Sequence, residues 1–180
     1  LVIDKDMPGV SFGPNERKLG WHSQPTTQVM FDSVRVPEEN LVGAEGAGFR
    51  IAMAGLDGGR LNIGACSLGG AQRCLDEAVR YVKDRKQFGQ AIAEFQNTQF
   101  TLADMATDLE AASLLTLKAA WLKDQKQPYG LAAAMAKKFA TDAAMAAATE
   151  GVQILGGYGC LTEYPLERYF RDAKAGQIYE

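Results

Sequence analysis

The stretch that decides the fold is Leu131-Ala132-Ala133-Ala134-Met135-Ala136-Lys137-Lys138-Phe139-Ala140-Thr141-Asp142-Ala143-Ala144-Met145-Ala146-Ala147-Ala148. Ten of these eighteen residues are alanine, and side chains that small let helix axes approach closely. The segment therefore reads as the central helix of a bundle, with Leu131, Met135, Phe139 and Ala143 stepping by four along one side. Met and Phe at such spacing are expected in the core. Moving upstream, Leu102, Met105, Leu109, Ala112 and Thr116 step by three and four, as do Leu68, Ala71, Leu75, Ala78 and Val82. Both are seam spacings of antiparallel helices. Phe88-Gly89 is expected to end the first helix, Gln127-Pro128 to open the third and Gly156-Gly157 to close it. A fourth, shorter helix is expected from just after Thr162 or Glu163 to about Ala173.

The first 45 residues differ. Pro8, Gly9, Gly13, Pro14, Gly20, Pro25, Pro37 and Gly43 break them into short β-type runs at Leu1–Ile3, Val10–Phe12, Thr27–Phe31 and Val34–Val36. Alternation in the third run predicts a half-buried strand. Strands so few and short are marginal alone, so residues 1–45 read as the end of a β domain and 46–180 as a helical domain. The chain opens inside an apolar run and stops directly after Gln177-Ile178-Tyr179, which leads us to expect a piece of a longer protein. The fold class is mainly α, a four-helix bundle preceded by the last strands of a β domain.

With 19 basic and 22 acidic residues in 180, the net charge of −3 gives no electrostatic reason to propose nucleic acid or an anionic membrane as partner. No apolar run reaches the roughly 20 residues that span a bilayer. Cys66, Cys74 and Cys160 are an odd, sparse set without a CxxC pair, which points to a reducing compartment and to small buried apolar groups. One histidine, His22, stands in a polar turn, Gly20-Trp21-His22-Ser23-Gln24-Pro25. That leaves little material for a Cys/His zinc site or a histidine-based nucleophile system, and no metal is expected.

Four stretches could carry chemistry. Asp57-Gly58-Gly59-Arg60 places two glycines inside a helix, at a cost of about 1 kcal/mol each, which suggests that another helix or a ligand comes close there. Asp57 and Arg60 share a face and could equally be a surface ion pair. Asp84-Arg85-Lys86-Gln87-Phe88-Gly89 reads as a helix C-terminus with Gly89 at C′, or as a guanidinium fork for a phosphate beside an aromatic face at Phe88. Gln153-Ile154-Leu155-Gly156-Gly157-Tyr158-Gly159 is a helix stop whose glycines would let a ligand reach backbone amides; it is not a GxGxxG fingerprint. Glu180 follows Tyr179 and means nothing alone.

Together these stretches resemble the C-terminal half of the acyl-CoA dehydrogenase family. Arg85-Lys86-Gln87-Phe88-Gly89, then Gln96, then Leu102-Ala103-Asp104-Met105, resembles the flavin-contacting hairpin of that family. Gly156-Gly157-Tyr158-Gly159, Arg171-Asp172 and Gln177-Ile178-Tyr179-Glu180 resemble its final signature. Gly20 to Thr26 and Gly55 to Arg60 lean toward the isobutyryl-CoA, short branched-chain members. The resemblance implies a middle β domain followed by a C-terminal four-helix bundle, usually in a homotetramer, sometimes a dimer. It implies FAD held by Arg85 and Phe88 at its ADP half across a subunit interface, with Gln96, Gln153, Ile154, Leu155, Gly156 and Gly157 also lining it. Asp57, Gly58, Gly59, Arg60 and Tyr179 would border the acyl-CoA.

The same resemblance makes Glu180 the catalytic base. Some members carry the base on the helix immediately before the arginine that matches Arg60; here that position is Gly59, which cannot serve. The implied reaction is α,β-dehydrogenation of a short or branched acyl-CoA thioester. A base takes the α-proton, and the β-hydride passes to oxidised FAD. Donors to the thioester carbonyl, in the family a flavin ribityl hydroxyl and the backbone N–H of the base, stabilise the developing enolate. An electron-transferring flavoprotein would accept the electrons. The compartment would be bacterial cytoplasm or mitochondrial matrix. The Gly-Thr pair that follows the base in the family is not in this sequence, nor is the front of the β domain, so the 180 residues alone are expected to bind FAD weakly and turn over little. Two alternatives come from other classes: a related flavoenzyme such as an acyl-CoA oxidase or nitroalkane oxidase, and a non-catalytic helical assembly module.

Overall fold

The computed structural model describes all residues from 1 to 180. The chain divides into two compact units, Leu1–Ala54 and Gly55–Glu180. The first contains a two-stranded antiparallel ribbon of β1 (Val10–Phe12) and β2 (Val29–Phe31), with Val10 opposite Phe31 and Phe12 opposite Val29. The expected burial of one face of β2 is not found: Val29, Met30 and Phe31 are all exposed, because a lone ribbon covers neither of its faces. Leu1–Ile3 is not a strand. Val2 gives its N–H to the Asn40 carbonyl (2.9 Å) and takes a bond from Asn40 Nδ2 (2.9 Å), so its backbone is satisfied by the 3-10 turn Glu38–Asn40. Val34–Val36 is also irregular, leading into Pro37, which has no N–H to offer a ladder.

The second unit is helical. Helix α1 spans Gly48–Asp84, crossing the boundary between the units. Helices α2 (Gln96–Asp124), α3 (Gly130–Leu155) and α4 (Leu166–Gly176) follow. The seams of α1 and α2 are placed as their spacing predicts: Ala71, Ala78, Val82, Met105, Leu109, Ala112 and Thr116 are buried, the last satisfying its hydroxyl on the Ala112 carbonyl (2.9 Å). Helix α3 packs on both α2 and α4. Its buried side, however, is the alanine side: Ala133, Ala136, Ala140, Ala144, Ala147 and Ala148. Leu131, Met135 and Phe139 are 76%, 55% and 37% exposed, opposite to expectation. A helix with close neighbours excludes large side chains from its contact face, so the apolar seam moves to methyl groups and the bulky residues point outward.

Two further boundaries shift. Helix α1 ends at Asp84, and Phe88-Gly89 is not its cap. Lys86–Gln87 (β3) and Gln90–Ala91 (β4) form a hairpin whose two loop residues, Phe88 (φ +53) and Gly89 (φ +87), are both left-handed, the type I′ arrangement. Helix α4 starts after Pro165, about three residues later than expected, with the Pro165 carbonyl taking the Tyr169 N–H (3.1 Å). Of the cysteines, only Cys74 is buried, where desolvation and then Glu77 push its thiol up to about 12; Cys66 and Cys160 are exposed. Glu77 is itself buried and is held by Arg73 and Arg80 of the same helix.

Neighbouring helices come close to α1 about one turn beyond Gly58-Gly59. At Gly64 a Cβ would stand 3.6 Å from Thr116 Oγ1 and 3.8 Å from the Lys137 Cα, so α1, α2 and α3 meet there.

Candidate functional site

Two places in the bundle carry the chemistry-bearing residues. The first lies at the end of α3. The helix stops because Gly156 turns to φ +60, and a 3-10 segment, Gly156–Cys160, follows. A cleft of about 470 Å³ is lined there by Arg85, Gln87, Ile154, Leu155, Gly156 and Gly157, together with Tyr81 and Tyr158. Arg85 Cζ lies 5.8 Å from the centre of the Tyr158 ring, and Tyr81 meets Tyr158 and Tyr164 edge-on (6.3 and 6.4 Å) while those two rings are tilted against each other at 5.5 Å. Burial holds the Tyr81 phenol above its ordinary range. The cleft therefore joins an arginine from the β3 end of α1 to the glycine turn closing α3. The other three expected flavin residues do not line this cleft. Gln153 is exposed on α3, Gln96 is exposed as the first residue of α2, and Phe88 is 92% exposed at the hairpin tip, edge-on to Phe95 at 6.4 Å.

The second place is where the chain passes Glu180 over α1. Arg60 Nη1 donates to Asp57 Oδ1 (2.8 Å) one turn apart, and the Asp57 carboxylate stands over Gly130 at the positive end of α3. Gly58 looks toward Lys123 Nζ. Gly59 is the decisive position: a Cβ built on it would be 2.7 Å from both Cδ and Oε1 of Glu180. The Glu180 carboxylate thus occupies the space a side chain at Gly59 would fill, with Glu180 itself in a left-handed conformation (φ +71). Around it is a cleft of about 460 Å³ lined by Arg60, Lys137, Thr141, Asp142, Gln177 and Glu180. Tyr179 is half-buried; burial first, then the neighbouring Cys66 and Glu180, raise its phenol above the ordinary value.

Sequence reasoning brought Asp57, Gly59, Arg60, Tyr179 and Glu180 to this place but missed Lys137, Thr141, Asp142 and Gln177. A signal for Lys137 existed. It stands four residues after Ala133 and four before Thr141, on the alanine side and not on the side of Leu131, Met135 and Phe139.

The family description "Acyl-CoA dehydrogenase, C-terminal domain" matches residues 46–180. The chain belongs to the acyl-CoA dehydrogenase family. The whole chain is 51% identical, over 181 residues, to the mitochondrial isobutyryl-CoA dehydrogenase of Dictyostelium discoideum, of which it covers 44%. Among solved structures, butyryl-CoA dehydrogenase from Megasphaera elsdenii superposes with a TM-score of 0.96 at 47% identity, over 98% of this chain and 46% of that one. An acyl-CoA dehydrogenase from Bacillus anthracis complexed with FAD does so at 0.93 and 32%, over 98% and 33%. The chain spans about half the length of the curated relatives it matches. Its helical architecture is that of the C-terminal domain of the family.

The α3 cleft suits FAD. Gly156 answers to its left-handed φ, but Gly157 does not lack a side chain because of packing or backbone strain, since its φ is not left-handed and a Cβ on it would meet nothing within 4 Å. This helix end leaves room for an incoming group, with a guanidinium and aromatic faces beside it, which a diphosphate joined to planar rings could use.

Proposed function

We propose that the protein is an FAD-dependent dehydrogenase of short or branched acyl-CoA thioesters and that Glu180 is its catalytic base. The observation that carries this reading is the seat of the Glu180 carboxylate on the bare backbone of Gly59, one residue from Arg60, in a chain of this family. The α-proton of a thioester is weakly acidic, and abstraction needs a carboxylate held within hydrogen-bond reach. In this chain Glu180 is exposed, so an acyl chain laid against α1 would itself exclude the water around the base. When bound, FAD supplies the oxidation of the Cα–Cβ bond. Arg85, Phe88, Gln96 and the run Gln153 to Gly157 would hold it, and Asp57, Gly58, Gly59, Arg60 and Tyr179 would border the thioester. An electron-transferring flavoprotein as acceptor and assembly into a homotetramer belong to the same proposal. The likeness to isobutyryl-CoA and butyryl-CoA dehydrogenases supports the short-chain class. No helix is long and apolar enough to cross a membrane.

Two variants of the full-length protein test the assignment of the two places. Gly59→Ala puts a methyl group where the carboxylate now lies. The carboxylate is the end of a flexible side chain, and alanine is about 1 kcal/mol better than glycine in a helix, so thermal stability should be kept or raised. The base, however, must leave its seat, and kcat should fall about 100-fold, the usual consequence of an ångström of misplacement. Unchanged kcat would remove Gly59 from the site. Arg85→Ala should leave the bundle folded and weaken flavin retention about 10- to 100-fold, as expected for loss of a charge-assisted hydrogen bond. Flavin content after dialysis reads this; full retention would detach Arg85 from the cofactor.

A further inference from the structure

Three cations line the cleft that holds Glu180: Arg60, Lys137 and Lys138. Two are already engaged. Arg60 is paired with Asp57 (2.8 Å) and Lys138 with Asp142 (2.8 Å), the hydrogen bond from Lys138 being the main reason the Asp142 carboxyl is held below the usual carboxylate range. Lys137 is the most deeply placed of the three, only 8% exposed, and it makes no ion pair. Burying a lysine is costly unless its charge finds compensation. Here the ammonium lies 5.9 Å over the ring of Tyr179, the residue that immediately precedes the base. Cation–π contacts of this kind strengthen as water is excluded.

The surrounding contacts all point to the same segment. Within one turn and a half of α3, Asp142 accepts a hydrogen bond from Gln177 Nε2 (2.7 Å), and Thr141 Cγ2 would lie 3.4 Å from a Cβ on buried Gly176. The Thr141 hydroxyl in turn bonds the Lys137 carbonyl (2.9 Å), fixing the local geometry of α3. Beyond Gly176 the Ile178 and Tyr179 amides make last-turn bonds to the Ala175 carbonyl (3.0 and 3.3 Å). Side chains add to the hold on this segment, Gln177 through Asp142 and Tyr179 through Lys137, whose contact falls on the residue next to the base.

We propose that Lys137 is a positioning residue: through its ammonium over the Tyr179 ring it holds the 177–180 segment so that the Glu180 carboxylate stays seated on Gly59. This rests on the reading of Glu180 as the base. Its charge is the operative feature, so the test compares Lys137→Met, which keeps the length and loses the charge, with Lys137→Arg, which keeps it. In the full-length, flavin-loaded protein, Lys137→Met should lower kcat for butyryl-CoA about 10- to 100-fold with KM within twofold, and Lys137→Arg should recover most of it. Independently of activity, amide hydrogen exchange at Ile178 and Tyr179 should quicken about tenfold in Lys137→Met and stay near wild type in Lys137→Arg. Wild-type exchange in Lys137→Met would overturn the proposal, as would equal losses of kcat in both variants accompanied by lowered Tm and flavin content, which would mark a packing role. A wild-type protein that oxidises no thioester, yet shows the exchange difference, would instead overturn the role given to Glu180 and leave Lys137 as the anchor of the segment.

Discussion

Glu180→Gln in the full-length protein is expected to abolish measurable turnover, lowering kcat by roughly 10²- to 10⁴-fold, the span that a positioned general base contributes. Glutamine keeps the shape of the side chain and its place over Gly59, so flavin content and thioester binding should stay within a few-fold of wild type. The loss should fall on kcat and kcat/KM alike, because the proton transfer it removes belongs to the transition state. No nearby carboxylate is placed to substitute. Asp57 is engaged by Arg60 and Asp142 by Lys138 and Gln177. Kinetics at saturating and limiting butyryl-CoA check this. A Glu180→Gln enzyme within threefold of wild type would remove Glu180 from catalysis.

The largest effect on folding is expected from Gly159→Ala. Gly159 is buried against the backbone of Val152, where a Cβ would stand 2.9 Å from Val152 Cα, 3.0 Å from its carbonyl carbon and closer still to its oxygen. Backbone cannot rotate aside as a side chain can, so either the final turn of α3 unwinds or the 3-10 segment lifts off. Overpacking costs about 1–3 kcal/mol, and a clash with backbone belongs at the upper end, about 3 kcal/mol. For a chain of this size that corresponds to a drop in Tm of about 6–12 °C. Gly156 and Gly157 stand in the same segment, so flavin retention should fall with it. A Gly159→Ala protein whose Tm lies within about 2 °C of wild type would mean that the segment is looser than its contacts indicate. Gly157→Ala makes the matching control, since its Cβ meets nothing within the chain: Tm should hold while flavin binding weakens.

Much of the bundle was legible from spacing alone, because hydrophobic period and burial coincide where large residues form the seam, as with Met105, Leu109 and Val82. The rule inverts in α3. There alanine density shows how close the neighbours come, and that same closeness expels Leu131, Met135 and Phe139 from the contact face. The hairpin at Phe88-Gly89 was hidden because Phe is a poor type I′ residue; a left-handed phenylalanine costs on the order of 1 kcal/mol, and the short strands flanking it carry no periodicity of their own. Arg60, Arg85 and the Gly156-Gly157 turn stood out locally, as glycines inside a helix, a guanidinium at a helix end and a glycine-rich stop, but their roles, and Glu180 altogether, came from the resemblance to a family, since a lone glutamate has no distinguishing local pattern. The fit between Gly59 and Glu180 spans 121 positions of sequence and is visible only in three dimensions. Lys137 lay between these cases: its register on the alanine side was readable, but the aromatic ring that receives its charge was not.

The central claim joins a flavin, a thioester and Glu180 in one reaction. The most direct test is an anaerobic titration of the purified full-length protein with butyryl-CoA and isobutyryl-CoA, following the visible flavin band, with Glu180→Gln alongside. The wild-type band is expected to bleach with one of these thioesters, and the variant to bind the same thioester without bleaching. A bound flavin that neither thioester reduces, or a Glu180→Gln protein that bleaches as fast as wild type, would contradict it.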